Sequence, residues 1–141
     1  MTEKSTKSGF SAEERAAMKA RAAEMKRQAS KDEDRQAVLD RIASMEPHDR
    51  ELATKIHELV TEAAPQLDPK TWYGMPAYVR DGKVVCFFKD AGKFGGRFAT
   101  FGFEDAAQLD EESIWVTSFA ITKLTDADVK KLSELVKRAA G

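Results

Sequence analysis

The sequence predicts an α+β fold, a two-layer sandwich in which helices cover one face of an antiparallel sheet. Apolar residues recur with helical spacing near both ends of the chain, whereas short apolar runs separated by turn residues lie between them. Helical stripes at both ends most simply cover one face of a meander sheet. The 141 residues fit one such domain with an extension.

The extension is a charged helical arm, predicted over residues 1–36. No Val, Ile or Leu precedes Val38, and residues 1–36 carry nine Lys or Arg and seven Asp or Glu. Such a segment cannot build its own core. Ser11 and Glu14 fit a capping box, and good helix formers follow from residue 12 to 29. The arm is either a partner-binding element or a marginal helical extension, with fraying expected before Lys31.

The predicted α+β domain occupies residues 37–141. Apolar spacing predicts helices over residues 33–45 and 48–64, and Pro65 and Pro69 suggest a stiff linker after the second. A last helix begins at Thr125, where Asp128 completes a capping-box-like pattern, and it carries an apolar stripe through Ala139.

Four strands are predicted between these helices, over residues 77–80, 83–89, 97–103 and 113–122. Asp81-Gly82 is a strong hairpin turn between the first two. Val84–Phe88 is apolar without alternation, which predicts a central strand.

Residues 72–103 hold nine of the twelve aromatic residues and six of the eight glycines. One interpretation is an amphipathic ligand pocket, because Trp and Tyr offer both stacking and hydrogen-bonding groups. The other is that the rings pack in the core and Gly74 and Pro76 shape the chain. The predicted ligand-binding residues are Trp72, Tyr73, Met75, Tyr78, Phe87 and Lys89.

Other candidate sites are weaker. Residues 92–97 could hold an anion between glycine amides, but a hairpin connection is the simpler interpretation. Cys86, the only cysteine, is expected to be buried, and an internal disulfide is impossible. His48 and His57 have no metal-ligand partner at an obvious spacing, and we predict no catalytic residues.

The run Trp72-Tyr73-Gly74-Met75-Pro76-Ala77-Tyr78, together with residues 81–88 and 97–103, resembles the YdhG-like family, a domain of unknown function. Leu109-Asp110 and residues 115–121 also fit, so the resemblance covers residues 37–141. It implies helices against an antiparallel sheet, similar in outline to frataxin. Some family members are described as frataxin-like iron chaperones, so iron is implied by the resemblance alone.

Iron would favour hard oxygen ligands. The weak candidates for metal ligands are the carboxylates Glu104, Asp105, Asp110 and Glu111. Nucleic acid is not favoured, because the net charge is -1 and the aromatic strand 97–103 lacks the RNP1 residue order. No apolar run spans a bilayer, and the start of the chain lacks a signal region, so a cytoplasmic location without membrane contact is expected.

These observations favour a non-catalytic cytoplasmic binding module for a small molecule or a metal ion. Two alternatives remain open. One is a protein-interaction adaptor that acts through residues 1–36, and the other is an enzyme of unrecognised type.

Overall fold

A computed structural model describes residues 9–141 of the chain. The helices are α1 (Ala12–Ala43), α2 (Pro47–Ala63), the single-turn α3 (Ala91–Phe94) and α4 (Asp126–Ala140). The strands are β1 (Asp68–Trp72), β2 (Met75–Arg80), β3 (Lys83–Lys89), β4 (Ala99–Phe103) and β5 (Ser118–Ile121). Among these described residues, no helix combines the length and the apolarity that a bilayer span requires.

The five strands form one antiparallel sheet in the order β1-β2-β3-β4-β5. Each strand pairs with its neighbours in sequence, which is the arrangement of a meander. The predicted α+β class is confirmed, and β3 is the central strand as its unbroken apolar run predicted.

The core lies between the sheet and the helices. It unites Val38 and Ile42 from the end of α1, the apolar stripes of α2 and α4, and the ring of Phe101 from β4. The buried stripe on α4 confirms the helix that was predicted from the apolar spacing. Its predicted capping box is also present, since the side chains of Thr125 and Asp128 each accept a hydrogen bond from the backbone N–H of the other residue. The helices therefore cover one face of the sheet.

Two hairpins have the same turn geometry. Asp81 and Gly82 have φ values of 51° and 77°, and Tyr73 and Gly74 have φ values of 52° and 76°. Positive φ at both central positions is the signature of a type I′ turn, which suits the twist of a two-residue hairpin. The Asp81-Gly82 hairpin was predicted from the sequence, but the Tyr73-Gly74 hairpin was not.

The missed hairpin explains why the sheet has five strands rather than four. Residues 68–72 were interpreted as a linker because of Pro69, yet they pair with β2 along their whole length. β1 is an edge strand, where a proline can be accommodated because one side of the strand needs no ladder partner. The predicted last strand, residues 113–122, is also shorter, since β5 begins at Ser118 and only Thr117 of the described residues before it accepts a hydrogen bond from β4.

The helix α1 runs from Ala12 to Ala43 without the fraying expected before Lys31, so the arm helix and the helix predicted over residues 33–45 are one helix. The predicted capping box at its start is present, with Ser11 and Glu14 exchanging backbone and side-chain hydrogen bonds of 2.8 and 3.1 Å. The chain divides into two compact units after Glu33. Every described residue of the first unit, 9–33, is exposed, and residues 1–8 of the predicted arm lie outside the described residues. The predicted boundary at residue 36 stays a prediction.

Candidate functional site

The sheet has a helix-covered face and an outer face, and the predicted ligand-binding residues divide between them. Directly paired residues of an antiparallel sheet share a face, so Ala77, Phe87 and Gly102 lie together. Ala77 and Met75 are buried, yet they are not part of the core that the helices cover. They lie on the outer face.

Three aromatic rings form a cluster on this outer face. The ring centroids of Trp72 and Phe87 are 5.4 Å apart, and those of Trp72 and Tyr73 are 5.1 Å apart with an edge-on geometry. These separations lie in the range of favourable aromatic pairs. The ring of Phe87 packs against Gly102 of the neighbouring strand β4, where an added Cβ would overlap the ring. The glycine is what allows the ring to pack there.

Tyr78, which was predicted to line the same pocket, lies on the other face. It is fully buried, and its hydroxyl is hydrogen-bonded at 2.9 Å to Nδ1 of His57 on α2. Burial, reinforced by Cys86, raises the pKa of Tyr78, and burial followed by the Arg35 charge lowers the pKa of His57. Burial thus disfavours the charged form of both groups, and the pair ties α2 to the sheet.

Tyr73 is the most unusual residue of the cluster. Its side chain is 81% exposed, and its backbone has φ of 52°, a region that bulky residues rarely adopt. The equivalent position of the other hairpin is occupied by Asp81, a residue that suits this turn. The turn itself does not require a tyrosine, so the exposed ring is the distinctive feature of this position.

Two lysines border the rings. The Nζ atoms of Lys89 and Lys93 each lie 5.5 Å from the ring centroid of Phe94, within the range of a cation–π contact. A Cβ placed on Gly74 would overlap the ammonium group of Lys93, so this lysine lies against the Tyr73-Gly74 turn. We define the aromatic–basic surface by the residues Trp72, Tyr73, Phe87, Lys89, Lys93 and Phe94.

A buried ion pair fixes the position of this surface. Arg41, near the end of α1, donates from Nη2 to Asp90 at 2.8 Å and from Nε to the carbonyl of Gly74 at 2.8 Å. The side chains of Arg41 and Asp90 are 15% and 3% exposed. One guanidinium therefore holds both the β1–β2 turn and the start of α3.

Residues 92–97 lie in the connection between β3 and β4, and the backbone amides at its start bind carboxylates of the protein rather than leaving an open anion cradle. Asp49, near the start of α2, accepts hydrogen bonds from the backbone N–H groups of Ala91 and Gly92 at 3.4 and 2.9 Å. Asp90 caps α3 by accepting from the backbone N–H of Lys93. These amides serve internal carboxylates, and the loop is thereby attached to α2.

The candidate carboxylates lie at the opposite end of the sheet. Glu104, Asp105 and Asp110 line a cavity of about 400 Å³ beside Trp115, whereas Glu111 is exposed and is not among its lining residues. Within residues 9–141, no three His, Cys, Asp or Glu side chains are arranged to hold a metal ion. The cavity is acidic, with Phe103 and Trp115 as its aromatic lining residues, and its three carboxylates do not form a metal-binding group.

Four members of the aromatic–basic surface were predicted from the sequence, but the residues that hold this surface in place were not. Trp72, Tyr73, Phe87 and Lys89 stand close together in sequence and were grouped by their aromatic density. Arg41 is separated from Gly74 by 33 residues and from Asp90 by 49, so no local pattern connects them. Lys93 and Phe94 were visible only as part of a glycine-rich connection.

Comparison of the chain with protein-family models gives no match, and neither the curated proteins nor the solved structures give a significant one. The geometry of the sheet and its outer face therefore carries the functional interpretation.

Proposed function

We propose that this protein is a non-catalytic binding module and that its small-molecule ligand binds at the aromatic–basic surface. The ligand class that fits is an anion with a planar ring. Trp72, Tyr73 and Phe87 offer ring faces and edges for stacking, and Lys89 and Lys93 offer positive charge beside them.

The observation that supports this proposal most is Tyr73. Residues held in sparsely populated backbone regions cost on the order of 1–3 kcal/mol and cluster at ligand-binding sites. Here the strained residue is also an aromatic ring with 81% of its surface exposed. The turn does not explain this ring, since Asp81 satisfies the same turn, and the contact with Trp72 leaves most of the ring exposed.

The test is an amide NMR titration of the full chain with adenosine monophosphate, a probe that combines a planar ring with a phosphate. We expect saturable shifts confined to residues of the aromatic–basic surface. The variant Tyr73→Asn should weaken binding at least tenfold. It should change the unfolding midpoint little, because the preferred Asn-Gly pair of a type I′ turn offsets the lost ring contact with Trp72.

The matched control is Ile114→Asn, which removes another exposed apolar side chain, 85% accessible, from the loop before β5. It should leave the titration unchanged. Chemical shift changes spread over the whole protein, or equal losses of affinity in Tyr73→Asn and Ile114→Asn, would contradict the proposal. Inorganic phosphate and adenosine, used separately, would show whether charge or ring supplies the affinity.

A metal ion is the second candidate; Glu104, Asp105 and Asp110 line one cavity beside Trp115, although they are not arranged as a ligand set. Carboxylate oxygens suit Fe(II), and the resemblance to the YdhG-like family makes iron delivery part of this alternative. An anaerobic NMR titration with Fe(II), with Mg(II) as control, tests it. Saturable, iron-specific broadening around Glu104, Asp105 and Asp110 would support iron binding, and an equal response to Mg(II) would exclude specificity.

Membership of the YdhG-like family and a cytoplasmic location belong to the same proposal.

The adaptor alternative draws on residues 9–33, where Phe10, Met18 and Met25 expose apolar side chains among many charges. A partner recovered by the full chain and lost when residues 1–36 are removed would favour that alternative. No reaction is proposed for either surface.

A further inference from the structure

We propose that the aromatic–basic surface binds single-stranded nucleic acid, an inference that rests on the proposed function because each nucleotide repeats the planar ring and anion of the proposed small ligand. A single strand presents unpaired bases for stacking and a phosphate at every step. Proteins that bind it without sequence preference combine aromatic platforms with a positively charged path, and each stacked base contributes about 1–3 kcal/mol.

The surface continues beyond its first three rings. Phe94 and Phe98 are each 37% exposed, and Phe98 carries the guanidinium of Arg97 at 5.1 Å from its ring centroid. Phe98 immediately precedes β4, and the Tyr73-Gly74 turn joins β1 to β2. Phe98 and the Tyr73-Gly74 turn lie at the same end of the sheet. Lys89 marks this end, because it is the last residue of β3 and pairs with Thr100 near the start of β4.

Basic residues gather at one end of the sheet, although the net charge of the chain is only -1. Lys89, Lys93 and Arg97 follow one another where β3 finishes and β4 begins. The opposite end is mixed, with Glu104 and Asp105 after β4 and Arg80 and Lys83 at the β2–β3 turn. The net charge, one of the two reasons for not favouring nucleic acid, does not report this clustering.

The carboxylates nearest to the basic end are largely occupied. Asp90 is paired with Arg41, and Asp49 accepts backbone hydrogen bonds, so neither presents a free anion to a ligand. Glu46 is the exposed acidic neighbour, and it borders a cavity of about 410 Å³ together with Lys93. A backbone phosphate would therefore approach from the side of Lys89 and Arg97.

The dimensions suit several nucleotides rather than one. From β1 to β4 there are three spacings of about 4.8 Å, which gives about 14 Å between the Trp72 and Phe98 positions. A stacked strand rises about 3.4 Å per nucleotide, so about four nucleotides would cover this distance. The aromatic residues of β4 itself, Phe101 and Phe103, are buried under the helices and take no part.

The test measures fluorescence anisotropy of labelled oligothymidylates of two, four and eight nucleotides with the full chain. We expect affinity to rise more than tenfold between two and four nucleotides and to fall with added salt. Lys89→Ala and Lys93→Ala should each reduce the slope of log affinity against log salt by about 0.7. Phe94→Ala should weaken binding about tenfold or more, as expected for the loss of one stacked base.

Lys130→Ala, which removes an exposed lysine from α4, is the control and should change neither affinity nor salt slope. Oligomers that bind no more tightly than adenosine monophosphate would overturn this inference and leave the proposed function intact. If neither the oligothymidylates nor adenosine monophosphate binds, this inference and the proposed function both fail. Binding to anionic phospholipid vesicles without binding to oligomers would overturn it in favour of a membrane surface.

Discussion

At the scale of single residues, Arg41 is the side chain on which the aromatic–basic surface depends. Arg41→Ala would leave Asp90 buried without its partner, and removal of one member of such a pair costs about 3–5 kcal/mol. We expect a loss of that size in the free energy of unfolding, measured by urea denaturation. The carbonyl of Gly74 also loses its donor, so the β1–β2 turn should loosen.

The exposed pair Glu24–Arg27 provides the control for this prediction. Its side chains are 78% and 65% exposed, and the charged atoms are 3.3 Å apart. Surface pairs contribute little, so Arg27→Ala should change the free energy of unfolding by at most about 0.5 kcal/mol. Similar losses in the two variants would show that burial does not govern the Arg41–Asp90 pair.

His57 makes the stability of the fold depend on pH. Burial lowers its pKa in the folded state below the ordinary value of 6.5. As pH falls through that value, the unfolded imidazole takes up a proton that the folded one resists, so the free energy of unfolding decreases. Between pH 7 and pH 5, urea midpoints should fall more steeply in the wild type than in His57→Gln.

His48, the other histidine, is hydrogen-bonded through Nε2 to the carbonyl of Thr122 at 2.8 Å. His48→Gln measures what this second histidine contributes to the same slope, so comparing the two variants isolates the effect of His57. If His57→Gln and the wild type lose stability in parallel, the His57–Tyr78 contact does not govern this part of the pH response.

At the scale of elements, the two capping boxes should differ in what they stabilise. Thr125→Ala removes the cap of α4, a core helix, and should lower the free energy of unfolding by about 1 kcal/mol. Ser11→Ala removes the same kind of cap from α1, where the first turns are exposed. It should speed amide exchange near residue 12 without shifting the global midpoint.

Comparing the two substitutions under one set of conditions isolates the effect of helix packing, since the cap chemistry is shared. A global shift with Ser11→Ala equal to that with Thr125→Ala would mean that the early turns of α1 belong to the cooperative unit.

The elements also show which signals in the sequence can be trusted. Helices α2 and α4 were predicted well, because their apolar residues recur over several turns. β1 was missed because its sequence, Asp-Pro-Lys-Thr-Trp, contains a proline and little apolar surface. Its place in the sheet is set by the β1–β2 turn, and a tyrosine is not an expected residue at the first position of such a turn.

The rings of the candidate site were predicted as a group, but their distribution over two faces was not. Strand alternation assigns Tyr78 and Ala77 to opposite faces, yet the sequence does not reveal which face the helices cover. The contact between His57 and Tyr78 settles that question. Long-range partners such as Arg41 depend on the assembled fold and leave no local signal.

At the scale of the whole molecule, residues 34–141 should fold without the preceding segment. The two α1 residues in the core are Val38 and Ile42, both after Glu33, and every described residue before Asp34 is exposed. Removing residues 1–33 should therefore shift the urea midpoint far less than Arg41→Ala does. Tolerance of truncation follows from the burial of the removed residues.

Circular dichroism would show the loss of helix that accompanies this truncation, and denaturation would show whether cooperativity survives. A chain that no longer unfolds in one transition would contradict the prediction. The same truncated protein, used in the oligonucleotide and Fe(II) titrations, would separate the sheet-based functions from those of the arm.

The rate at which the thiol of Cys86 reacts reports how often the core of this molecule opens. The thiol is fully buried in the middle of the central strand, and burial raises its pKa, so the reactive thiolate is suppressed in the native state. A thiol reagent can reach it only when the sheet separates from the helices. The labelling rate of the wild-type chain therefore measures how often the core opens, and a cysteine placed on the surface could carry a probe selectively.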